Sequence, residues 1–120
     1  MSATHGPFAR IEWEGDSHDV LLGFPEAVKH DLGYALWLVQ LGELPPRARR
    51  MASIGPGVFE LKEQDSSGWY RLIYLTRIGD TIHVLHCFRK QGRKTDRRDL
   101  ETAQARWKLV QARNRKGGRA

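Results

Sequence analysis

Apolar positions along the chain change period three times, and each change marks an element. Residues 8–14, FARIEWE, alternate, with Ala9, Ile11 and Trp13 on one side and Phe8, Arg10, Glu12 and Glu14 on the other, which predicts a short strand stopped by GDS. Asp16 or Ser17 can cap a short helix through Leu22. A longer helix opens around Phe24 and Pro25, because Val28, Leu32, Ala35 and Val39 then recur at helical spacing and Pro25 suits a first turn. Gly42 and Pro45-Pro46 end it. After a basic loop, PPRARRM, and the turn residues IGPG, the period drops to two. Three runs follow, at 58–64, 69–77 and 81–90, joined by the short turns DSSG and IGD, so an antiparallel meander is expected. From Thr95 or Asp96, Leu100, Ala103, Trp107 and Val110 return to helical spacing. The pattern predicts an α+β fold: a small antiparallel sheet of the N-terminal strand and the meander, two N-terminal helices packed on one face, and a basic C-terminal helix. One domain is expected over 1–112, with a basic, disordered tail at 113–120.

The short turns allow the meander to be paired on paper, since opposed residues in an antiparallel pair have numbers that add to a constant. Gln64 opposite Trp69 places Lys62 opposite Arg71 and Glu60 opposite Ile73. A second turn centred on Gly79-Asp80 places Arg71 opposite Phe88 and Ile73 opposite His86. One face then collects Glu60, Lys62, Arg71, Ile73, His86, Phe88 and Lys90. The other collects Phe59, Leu61, Leu72, Tyr74, Leu85 and Cys87, which makes the better core. The first face is expected to turn away from the helices, so that cations surround an aromatic on an open sheet, an arrangement suited either to RNA or to a solvated face on which Glu60 pairs with Lys62 or Arg71.

Charge sharpens this picture. Residues 1–88 carry 8 Lys+Arg against 11 Asp+Glu, whereas residues 89–120 carry 12 against 3. The whole basic excess is C-terminal, the footprint of a nucleic-acid binder. No apolar run approaches the roughly 18 residues that span a membrane, and the first residues, MSATHGPFAR, lack the features of an export signal. A soluble, cytoplasmic protein without membrane contact is expected. At 120 residues the chain can bury about two-thirds of its unfolded surface without staples. Its single cysteine, Cys87, lies inside an apolar strand and reads as a core residue.

Several constellations are excluded. His83 and His86 are three apart on a strand, hence on opposite faces, so no shared metal is expected. Gly55-Pro56-Gly57 lacks the lysine and hydroxyl of a phosphate loop. No nucleophile stands at motif spacing from a base.

IEWEGDS (11–17), FPEAV (24–28), GYALWLVQLGE (33–43), GPGVFELKE and YRLIYLTRIGDTIHVLHCFRKQGRKT (70–95), with the helix that follows, resemble in order and content the RelE and HigB toxins of type II toxin–antitoxin systems, within the RelE/ParE superfamily and closest to its phage-related HigB-like branch. The resemblance covers roughly residues 8–110. It implies an endoribonuclease that cuts messenger RNA on the ribosome, beside 16S ribosomal RNA, without metal or cofactor, and that is held inactive by an antitoxin with a helix-turn-helix DNA-binding domain. It also implies that Arg71 contacts the scissile phosphate, and it matches Lys62, Arg89, Lys90 and Lys94 to positions where relatives carry basic groups. The chemistry asks for a base at the 2′-hydroxyl, charge stabilisation at phosphorus and a proton for the leaving 5′-oxygen. Arg71 suits the phosphate, Lys62 or Lys90 suits the base if neighbouring cations lower its pKa, and His86 is held in reserve. Phe88 would stack a base, and Arg89, Arg93 and Lys94 would grip RNA. The alternatives are a ParE-like inhibitor of DNA gyrase and a non-catalytic RNA-binding module.

Overall fold

The computed structural model describes residues 8–90 and 96–117, and within them the sheet forms the middle of three layers. Its strands are β1 (Arg10–Trp13), β2 (Arg49–Arg50), β3 (Val58–Asp65), β4 (Gly68–Ile78) and β5 (Thr81–Lys90), in the order β1-β5-β4-β3-β2. The helices are α1 (Ser17–Leu22), α2 (Glu26–Gln40) and α3 (Arg97–Gly117). The fold is α+β, as the pattern predicts, but the sheet is mixed. β1 runs parallel to β5, with Arg10 beside Thr81 and Trp13 beside Val84. A parallel pair needs a long crossover, which a chain passing through two helices and three strands supplies. The two residues of β2, expected in a loop, pair with β3 at Arg49–Glu60 and Arg50–Phe59.

The meander follows the paired register as far as Ile73. Gln64 opposes Trp69, Lys62 opposes Arg71, Arg71 opposes Phe88 and Ile73 opposes His86. Beyond that point Tyr74 opposes Val84, so Leu85 is an extra residue on β5. Such a bulge moves the following side chains to the other face. Leu85 therefore leaves the core predicted for it and joins Ile73 and Phe88 on the opposite side. The same shift overturns the expectation that His83 and His86 face opposite ways. His83 pairs with Leu75, a member of that same cluster, and His86 bonds to α3.

Two hydrophobic clusters flank the sheet. Between the sheet and α1–α2 lie Leu21, Phe24, Val28, Leu32, Leu36 and Val39, packed on Leu61, Tyr70, Leu72, Tyr74, Val84 and Cys87. Their helical spacing is the stripe that defines α2 in the sequence, and each fully buried aliphatic contributes about 1.5–3 kcal/mol. Cys87 is a core residue, and burial pushes its thiol up to about 12. On the other side, Ile54, Val58, Ile73, Leu75, Leu85 and Phe88 pack against Ala103 and Val110 of α3, joined by Trp107. The face expected to lie open is thus covered over this part by α3. Close fit is visible at Gly55, where a β-carbon would lie 2.4 Å from the Trp107 ring.

Polar bonds pin α3 at three levels. His86 Nε2 meets Asp99 Oδ1 at 2.8 Å, Arg106 donates to the Leu85 carbonyl at 3.0 Å and to Asp16 at 2.9 Å, and Arg113 donates to both oxygens of Glu14 at 3.0 and 2.9 Å. The helix continues to Gly117, so Arg113 lies within it. Among the described residues no helix is long and apolar enough to cross a membrane.

Candidate active site

Beside the second core, towards the turn between β3 and β4, the α3 side of the sheet turns from apolar to charged. Alternation on β4 sends Trp69 and Arg71 to the same face as Ile73, and the register aligns them with Gln64, Lys62 and Glu60 on β3 and with Lys90 and Phe88 on β5. Arg49, set beside Glu60 by β2, completes the group. Arg71 donates to Glu60 in a pair whose side chains are 8% and 2% exposed. Neither is fully engaged: Glu60 Oε2 and Arg71 Nε are buried without a hydrogen-bond partner. A buried charge pair is stable only when its remaining valences are met, so two enclosed atoms without partners leave this pair incompletely satisfied.

Lysines flank this pair. The Lys62 ammonium lies 5.4 Å from the centroid of the Trp69 ring, within cation–π range. Lys90, 7% exposed, has its pKa lowered by loss of water and by the charges of Arg71, Lys62 and Arg49, against the opposing pull of Glu60. Burial and the surrounding cations both favour the neutral form of this lysine. Arg71, Lys62 and Lys90, three of the residues predicted for catalysis, come together. Glu60, which the sequence placed on this face as a possible partner of Lys62 or Arg71, pairs with Arg71. Arg49 and Trp69 were missed. The basic run RARR was a signal for Arg49, and the pairing of Gln64 with Trp69 already put the indole on this face.

The remaining predicted residues sit elsewhere. His86 bonds to Asp99 and Arg106 and stacks on Phe88 at 5.1 Å, so its ring is occupied in holding α3. Phe88 is 6% exposed within the second core. It was expected to stack a base, but α3 closes over its ring and leaves no open face. Arg89 opposes Tyr70 on the α2 side and donates to the Ser67 carbonyl, so it braces the β3–β4 turn away from the Arg71 group. Arg93 and Lys94 lie outside the described residues.

A second polar cluster has a structural character. Oxygens of Glu12 and Glu14 and a ring nitrogen of His83 lie within 4.8 Å of one another, a spacing that a metal ion could use. Glu14, however, already accepts from Arg113 twice and meets His83 at 2.9 Å. Burial alone would raise its pKa, but these bonds and charges outweigh it and hold the carboxyl below its ordinary value. A guanidinium fills the place of the cation.

Comparison with known proteins bears on family and fold. The profile of the family described as phage derived protein Gp49-like (DUF891) matches residues 19–108. Among solved structures, the chain is similar to the free state of an arginine-to-alanine mutant of the Escherichia coli toxin RelE, with a TM-score of 0.54 and 16% identity over 68% of this chain and 83% of that one. Among proteins of curated function none matches.

Proposed function

The chain belongs to the phage-derived Gp49-like family and has the fold of RelE, and from that premise we propose that it is the toxin of a type II toxin–antitoxin pair, acting as an endoribonuclease on messenger RNA. The observation that carries this reading is the convergence of Lys62, Lys90 and Arg49 on the buried Arg71–Glu60 pair, with Arg71 Nε still free to donate. Lys90, its pKa lowered, takes the proton of the 2′-hydroxyl. That oxygen attacks phosphorus, and the charge building on the non-bridging oxygens is met by Arg71, whose delocalised guanidinium remains charged throughout. Glu60 fixes the plane of Arg71. Lys62 delivers a proton to the 5′-oxygen as its bond to phosphorus breaks, leaving a 2′,3′-cyclic phosphate and a 5′-hydroxyl. No step calls on a metal.

The basic C-terminal third suits a substrate presented on the ribosome in the cytoplasm, with cations gripping messenger and 16S ribosomal RNA. The partner in this reading is an antitoxin with a helix-turn-helix domain, whose acidic segment covers the cationic face.

To test it, the protein is induced in bacteria without an antitoxin and RNA 5′ ends are mapped, alongside Lys90→Met and Arg71→Lys. New ends within translated reading frames, lost in Lys90→Met at unchanged thermal stability, are expected. Growth arrest with intact messages would overturn the ribonuclease reading and point to gyrase inhibition.

A further inference from the structure

If this face takes RNA, something must hold the base next to the phosphate, and Phe88 is enclosed. Among the described aromatic residues, Phe24, Tyr70 and Tyr74 belong to the α2-side core and Phe59 packs against it, Phe8 precedes β1, and Tyr34 and Trp37, though exposed, lie on α2 itself. Trp13 stacks on His18, and Trp107 packs against Gly55. Trp69 differs from all of these. It is half-buried, lies on the α3 side of the sheet two residues from Arg71 on one strand, and is set between Gln64 and Lys90 on its neighbours. Two residues along a strand span about 6.5 Å, a nucleotide's reach. The Lys62 ammonium at its ring brings a phosphate-seeking charge to the same place.

We propose that Trp69 is the nucleobase platform of the site: an unpaired base of single-stranded RNA, adjoining the phosphate held at Arg71, stacks on its indole, and Lys62 turns from the ring to that nucleotide's phosphate. The proposal rests on the ribonuclease reading for its substrate class. An indole is sequence-tolerant because every base offers a π-face, and it gains further from a nearby cation. Rigid placement on a central strand fixes the base relative to Arg71, so the platform also sets which phosphate is presented.

The test uses a fluorescein-labelled hexaribonucleotide with 2′-O-methyl sugars, which has no free 2′-hydroxyl to attack and therefore reports binding alone. Its affinity is measured by anisotropy for the wild-type chain, Trp69→Ala, Trp69→Phe and, as a control on α2, Trp37→Ala, each checked by thermal melting. We expect Trp69→Ala to weaken binding about ten-fold or more, with Trp69→Phe recovering most of the loss and Trp37→Ala matching wild type. Recovery by phenylalanine separates stacking from misfolding. Equal affinity of Trp69→Ala and wild type, an equal loss in Trp37→Ala, or a wild-type chain that does not bind would each overturn the platform. Cleavage by wild type is followed in parallel on translating ribosomes. Trp69-dependent binding without cleavage supports the platform and removes the ribonuclease reading, whereas cleavage with Trp69-independent binding removes the platform and leaves that reading standing.

Discussion

Arg71 shows how much a single residue's task depends on what lies behind it. On sequence it is a cation on an exposed strand face. In the structure it is bonded to Glu60 with both side chains almost wholly enclosed. Removing it would therefore do more than delete the phosphate contact proposed for it, because buried Glu60 would lose the guanidinium it is bonded to. Arg71→Ala is expected to cost about 3–5 kcal/mol, read as a drop in melting temperature, and Arg71→Met combined with Glu60→Leu should recover most of it. A stable single mutant would contradict the pairing. For the same reason Lys90→Met is the cleaner probe of chemistry. Loss of water on burial, and then the charges of Arg71, Lys62 and Arg49, push the pKa of Lys90 below the ordinary 10.5. If it is the base, cleavage should rise with pH as Lys90 loses its proton, with a midpoint below 10.5. Lys90→Met should flatten that limb and lower the rate about 100-fold or more. A profile unchanged in the mutant would assign the base elsewhere.

At the scale of elements, α3 decides most of what the strands could not announce. Its apolar spacing was plain, but its docking place was not, because Leu100, Ala103, Trp107 and Val110 would fit any complementary apolar surface. Its polar bonds supply the address: Asp99 to His86, Arg106 to Asp16, Arg113 to Glu14. The last gives a pH signature. The folded pKa of Glu14 lies below its ordinary 4.5, so the unfolded chain binds more protons as acid is added. The stability it contributes is complete above about pH 4.5 and is lost as pH falls through the lower folded value. Arg113 is half-exposed, which limits the effect to about 1 kcal/mol. The unfolding free energy from urea titration at neutral pH should fall by about 1 kcal/mol in Arg113→Ala, and the difference from wild type should vanish in acid. A difference that persisted at low pH would mean that Glu14 is not the group concerned.

For the whole molecule, the succession of elements and the β3–β4 register were legible in the chain, because both rest on interactions a few residues apart. Apolar period distinguishes helix from strand, and a short turn leaves few ways to pair its arms, so Lys62, Arg71 and Lys90 could be brought to one face from numbering alone. Three features were decided only by tertiary structure. The parallel alignment of β1 with β5 joins Arg10 to Thr81, far apart along the chain, and four alternating residues do not say which edge they will find. The bulge at Leu85 reverses the faces beyond it, for period-two counting cannot foresee a residue that packing inserts. The closure of α3 over Phe88 turns a residue expected to meet RNA into core and leaves the aromatic task to Trp69. Local sequence therefore determined the strands, their turns and the cations they carry. Which side chains remain at the surface to use those cations was settled by long-range packing, since burial belongs to no segment by itself.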